Sequence, residues 1–213
     1  MTSMHSARCG RLAMAAMLAS GISSALFAQL PKESEDASLR SDCRSAAKTL
    51  TSGSATPTTK RALEIISRCD QTGGPALQAM WSKPATDSIA LEQLVAASSR
   101  LLDQRVYDGV IARARDTSAP RAVRFAAMRV LAAFISKTTL IDPDDLAKPS
   151  ADTTIVRLFS TVSHGIFQRV GSMPLSANKP GDIRALFASL ARTDPDPIVR
   201  SGSRYLQVWF SGH

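Results

Sequence analysis

From residue 36 onward, apolar side chains recur every three to four positions, in runs broken by short clusters of Gly, Pro, Asp and Ser. At about 100° per residue, Leu39, Cys43, Ala46 and Leu50 share one face, and Ala62, Ile65, Ile66 and Cys69 share another. The periodicity predicts helices over Asp36–Leu50, Thr58–Cys69, Pro75–Ser82, Ser88–Leu102, Arg105–Arg115, Pro120–Ser136, Asp182–Arg192 and Pro197–Phe210. Between them stand SGSATP, DQTGG, KPATD, DTSA, DPDD, NKPG and DPD, all rich in breaker residues. Connections this short make successive helices antiparallel neighbours.

Two of these helices share a layout. In Pro120–Phe134, Val123, Ala126, Ala127, Val130, Leu131 and Phe134 occupy one face, while Phe125, Met128, Ala132 and Ile135 interrupt the arginines of the other. A helix apolar on most sides is packed from most sides. The last helix places Val199, Gly202, Leu206, Trp209 and Phe210 on one face and Arg200, Ser201 and Arg204 on its back. A terminal unit with nothing stacked beyond it has that polar back.

Both stretches run from an acidic turn through Pro and Val-Arg to small and aliphatic residues. The matching positions are Asp116, Pro120, Val123, Arg124, Ala126 and Val130, then Asp194, Pro197, Val199, Arg200, Gly202 and Leu206. This pattern resembles the second helix of a HEAT repeat, and the two Val-Arg pairs stand 76 residues apart, about two repeat periods. The resemblance implies an all-α fold, a right-handed superhelix of antiparallel helical hairpins, and protein-binding work. It also implies that Arg124 and Arg200 are structural, held near a turn aspartate, and not part of a ligand site.

One segment departs from the helical pattern. Between Pro149 and Pro174 the chain carries Thr153, Thr154, Ile155, Val156, Thr161, Val162, Ile166 and Val170, all β-branched, with His164-Gly165 where a turn would fall. Low helix and high strand propensity predict a short extended or β-hairpin insert near 150–173. The rival reading takes Val156-Arg157 as a third Val-Arg copy on a helix.

The N-terminus changes the compartment. Arg8 and Arg11, with no acid nearby, precede the apolar run Leu12–Ala28, which is diluted by Ser20, Gly21, Ser23 and Ser24. That is the layout of a secretory signal peptide, with cleavage after Ala25 or Ala28. It gives residues 1–28 as signal peptide, 29–35 as a polar leader and 36–213 as one helical-repeat domain, periplasmic or secreted. The run is too short and too dilute for the roughly 20 apolar residues of a membrane span.

Of the 213 residues, 26 are basic and 18 acidic, for a net charge of +8. Removing residues 1–28 takes two basic residues and no acid, and so leaves +6. These charges are scattered, without the basic face of a nucleic-acid reader. Cys9 leaves with the signal peptide, so Cys43 and Cys69 remain, an even number suited to an oxidising compartment. Both fall in the seam of the first two helices, which predicts a Cys43–Cys69 disulfide; the alternative is two buried thiols.

Candidate chemistry is sparse. Ser45-Ala46-Ala47-Lys48 matches the Ser-x-x-Lys pattern of penicillin-recognising serine enzymes, but no Lys-Thr-Gly or Ser-Asp-Asn accompanies it. Ser45 and Lys48 project opposite the apolar stripe, as solvated residues do. Asp142, Asp144 and Asp145 lack the glycine and distal glutamate of a calcium loop and suit a helix cap. His164 alone cannot build a multi-histidine metal site.

No catalytic residue, metal or cofactor is therefore expected. The sequence points to an exported, non-catalytic scaffold that binds a protein or peptide. Arg157, His164 and Arg169, on the irregular insert, form its candidate partner-binding surface. The alternative is a cell-envelope enzyme or small-ligand-binding protein with its site at that insert.

Overall fold

The computed structural model describes residues 32–52, 57–84, 86–136 and 169–211. Among them are eight α-helices and one pair of two-residue strands. The protein is thus mostly helical.

Helix α1 (Ala37–Thr51) starts where the Asp36 carboxylate accepts from the amides of Ser38 and Leu39, at 2.8 and 3.1 Å. It buries the predicted stripe of Leu39, Cys43, Ala46 and Leu50. Helix α2 (Pro57–Ile66) packs against it with Ala62, Leu63 and Ile66. The α2 helix stops three residues short of Cys69, which lies in the following turn with its sulfur beside that of Cys43. Their Cα atoms are 5.8 Å apart and the sulfurs lie at disulfide distance.

Helix α3 (Gly73–Ser82) packs on α1, and α4 (Ser88–Ser99) on α2, with the Trp81 indole donating to the Ser98 hydroxyl at 2.9 Å. Helices α5 (Gln104–Arg115) and α6 (Arg121–Ser136) pack on one another. As its sequence required, α6 is enclosed on most sides: Phe125, Met128 and Ala132 are buried along with Val123, Val130 and Leu131. It touches α4, α5, α7 (Lys179–Thr193) and α8 (Pro197–Ser211). The α7–α8 pair closes through stacked Phe187 and Phe210 rings, 5.9 Å between centroids.

One expectation needs correction. The helix predicted to Leu102 ends at Ser99, and Leu101–Leu102 forms strand β1. Strand β2 (Arg169–Val170) pairs with it in parallel, Leu101 opposite Arg169. The described end of the insert is therefore extended and pairs with β1. Residues 150–168 lie outside the described residues. The physical reason is Asp103, whose side chain accepts from the Arg105 amide at 3.0 Å and so starts α5. The chain before such a cap must leave helical geometry, and its freed backbone groups are taken by β2: the Arg169 amide donates to Arg100 O and the Gly171 amide to Leu102 O.

Candidate functional site

Close packing between α3 and α5 depends on Gly109. A Cβ there would lie 3.0 Å from the Trp81 Cβ, so only glycine lets the two helices come this near without displacement. The Arg113 side chain fixes the same register by donating to the Trp81 and Ser82 carbonyls at the end of α3. On the opposite side of α5 the residues are large: Tyr107, Ile111 and Arg115. Facing them across a gap, α7 presents Lys179, Asp182, Leu186, Ser189 and Thr193.

The two helices meet where the Lys179 ammonium sits 4.7 Å from the centre of the Tyr107 ring, and they leave a groove of about 700 Å³ between them. Thr117, Asp194 and Pro195 line its far end. At the Tyr107 end stand two carboxylates. Asp182 is 3.5 Å from Lys179, and Asp108 accepts from the Gln104 side-chain amide at 2.7 Å. Burial first, and then the charge of Asp182, push the Tyr107 phenol above its ordinary value. At the other end Arg115 is exposed and makes no ion pair among the described residues.

The groove's end is built by a turn that the repeat pattern singled out. Asp194 accepts from Arg124, and Asp196 accepts from Arg121 Nε at 2.7 Å and from the Ile198 amide at 2.8 Å. Arg124 also donates to Ala114 O, the last turn of α5. Arg200 donates to the carbonyls of Asp194 and Pro195. Both Val-Arg arginines thus hold backbone or a turn aspartate. Arg124 reaches Asp194, in the other acidic turn, whereas Asp116, in the turn just before α6, takes Arg113.

A second polar centre pins the exit of the insert. The Asp103 side chain is fully buried and accepts from the Arg105 guanidinium at 2.9 and 2.8 Å and from the Met173 amide at 3.3 Å. Burial alone would raise its carboxyl, but these bonds outweigh it and hold the group below its ordinary value. Gly74 and Gly171 flank it so closely that a Cβ on either would collide with the carboxylate. Arg105 also donates to the Ser172 hydroxyl, and the Ser172 amide to Asp70 O. Both Asp103 oxygens are spent within the protein, so this is a clamp.

Of the predicted surface, Arg157 and His164 lie outside the described residues. Arg169 is half-buried in β2, and its backbone amide is spent on Arg100 O. A cavity of about 210 Å³ at the exit of the insert, lined by Leu102, Phe134, Val170, Leu175 and Ile183 among others, falls below the roughly 300–1,000 Å³ of small-molecule sites. Cys43 and Cys69 lie close to the buried Glu33 carboxylate. Sulfurs joined to one another offer no thiolate to a metal, and one Glu33 oxygen accepts from the Gln71 and Thr72 amides at 2.9 and 3.1 Å.

Sequence reasoning missed the groove residues Tyr107, Asp108, Arg115, Lys179 and Asp182. The available signal was weak: Tyr107, Ile111 and Arg115 form a bulky row on a helix whose other side carries Gly109. No protein-family model matches the chain, and no curated protein or solved structure matches it significantly.

Proposed function

We propose that the chain is an exported, non-catalytic helical-repeat scaffold of HEAT-like build, a right-handed superhelix of antiparallel hairpins, that binds a segment of a partner protein between α5 and α7. The observation that carries this reading is the groove. Stacked hairpins bury their apolar faces on one another, which leaves exposed helix faces and breaks in the stacking for recognition. Here α3 closes against α5 through Gly109, while α7 stands away from α5. Support for the repeat build comes from helix contacts that alternate along the chain. Helices α1, α3 and α5 touch in succession, as do α2, α4, α6 and α8. The Arg124–Asp194 pair joins the two motif copies. Export is supported by the N-terminal pattern and by a cysteine pair at disulfide distance; no described helix is long and apolar enough to cross a membrane.

The test is capture of partners from envelope extracts by the full chain and by a variant carrying Asp108→Lys and Arg115→Glu. Both positions are exposed, so the variant should melt as the parent does. A protein retained by the parent and lost by the variant supports the reading. Equal recovery on both would sink it.

A further inference from the structure

We infer that the groove takes an extended peptide, with a basic side chain at the Asp108–Asp182 end and a carboxylate at Arg115; this rests on reading the groove as the binding site. The first argument is dimensional. The α7 wall runs from Lys179 to Thr193, fourteen steps of helix rise or about 21 Å. That length matches about six or seven extended residues.

The second argument is polarity. An extended peptide brings unpaired backbone N–H and C=O groups that must find partners on binding, whereas a helix satisfies its own. The walls offer hydroxyls and carboxylates along their length, from Tyr107, Asp108 and Thr117 on one side to Ser189 on the other.

Charge then sets the orientation. Toward the start of α5, Asp108 and Asp182 stand with the Lys179 ammonium, and the charge of Arg115, two turns further on, also reaches the Tyr107 phenol. At the far end Asp194 is taken by Arg124, so the exposed Arg115, in no ion pair among the described residues, supplies the positive charge there. Asp108 and Arg115 are seven residues apart on α5, about 10 Å along its axis, which an extended chain covers in about three residues.

The probe is a phage-displayed library of random heptapeptides, selected on the folded full chain. Selected peptides should carry a basic and an acidic residue about three positions apart and should tolerate a central proline, which an extended chain accepts and a helix does not. Arg115→Glu should weaken them at least tenfold, and exchanging the peptide's acid for lysine should restore binding to that variant. Selected peptides that are amphipathic helices, intolerant of proline but still sensitive to Arg115→Glu, overturn the extended occupant and leave the groove reading standing. Peptides indifferent to Arg115→Glu overturn the inference and place binding elsewhere. A selection no better than on an unrelated protein overturns the inference together with the peptide-binding reading.

Discussion

The guanidinium of Arg124 grips the carboxylate of Asp194 across 70 residues of sequence, with side chains only 3% and 1% exposed. Arg124 lies in the first turn of α6, and Asp194 caps the end of α7. A buried charge that loses its partner is costly, at about 3–5 kcal/mol. Asp194→Ala should destabilise the protein by an amount in that range, read from urea denaturation. Replacing both residues by apolar ones of similar size should cost less than either single change. If Asp194→Ala costs under about 1 kcal/mol, the pair does not tie α6 to the end of α7 energetically.

Gly74 predicts a sign that helix propensity alone gets wrong. Glycine-to-alanine changes inside helices ordinarily gain about 1 kcal/mol. At Gly74 the new methyl would enter the space of the Asp103 carboxylate, which holds Arg105 and Met173. Gly74→Ala should therefore lower the melting temperature, by the equivalent of about 1–3 kcal/mol. In an Asp103→Ala background that space is vacant, and the penalty should shrink. A stabilised Gly74→Ala protein would contradict the clamp.

Acid should act through the same carboxylate. Because bonds from Arg105 and Met173 hold Asp103 below its ordinary value, the folded protein resists a proton that the unfolded chain accepts near pH 4. The resulting stability is complete above about pH 4 and is lost as pH falls through the lower folded value. Asp103→Asn should be less stable than the parent at pH 6, by about 1–3 kcal/mol. The gap should narrow toward pH 2. Denaturation across that range checks it, and a constant gap would show that Asp103 is not the titrating group.

For the cysteines, non-reducing peptide mapping of the protein recovered from an envelope or extracellular fraction should find Cys43 joined to Cys69, with an N-terminus at Leu26 or Gln29 if it is exported as proposed. The bridge spans 26 residues, for which the chain-entropy estimate gives about 3.5 kcal/mol. Reduction, or replacement of both cysteines by serine, should lower stability by an amount of that order. Both thiols alkylated without reductant, or an intact Met1, would remove the oxidising-compartment argument.

Local periodicity was enough to place the helices, because a 3.6-residue repeat with strong punctuation leaves few alternatives. The Cys43–Leu50 stripe and the seam it forms with Cys69 were legible for that reason, as was the enclosure of α6. Helix ends were less so: α4 stops at Ser99 since Asp103 caps the next helix and β2 claims the intervening backbone. A parallel pairing between Leu101 and Arg169 leaves no local trace, as each strand is two residues long and its partner is 68 positions away. The Asp103 clamp was hidden likewise, its glycines lying 29 residues before and 68 after it.

The groove depended most on tertiary structure. Tyr107, Asp108 and Arg115 were readable as helical residues, but whether such a face is buried by a neighbour or left open is set by where that neighbour stops. Gly109 lets α3 close upon α5, and the Arg124–Asp194 and Arg121–Asp196 pairs fix the α7–α8 turn on α6. The sequence by itself therefore determined helix positions and the cysteine seam, which follow from side chains a few residues apart or from an apolar stripe, while the structural role of the Val-Arg arginines was what the resemblance to a HEAT repeat implied. The tertiary structure decided which aspartate Arg124 takes, what the insert's exit pairs with and which helix face stays exposed, because each is a contact between residues whose separation in sequence carries no period.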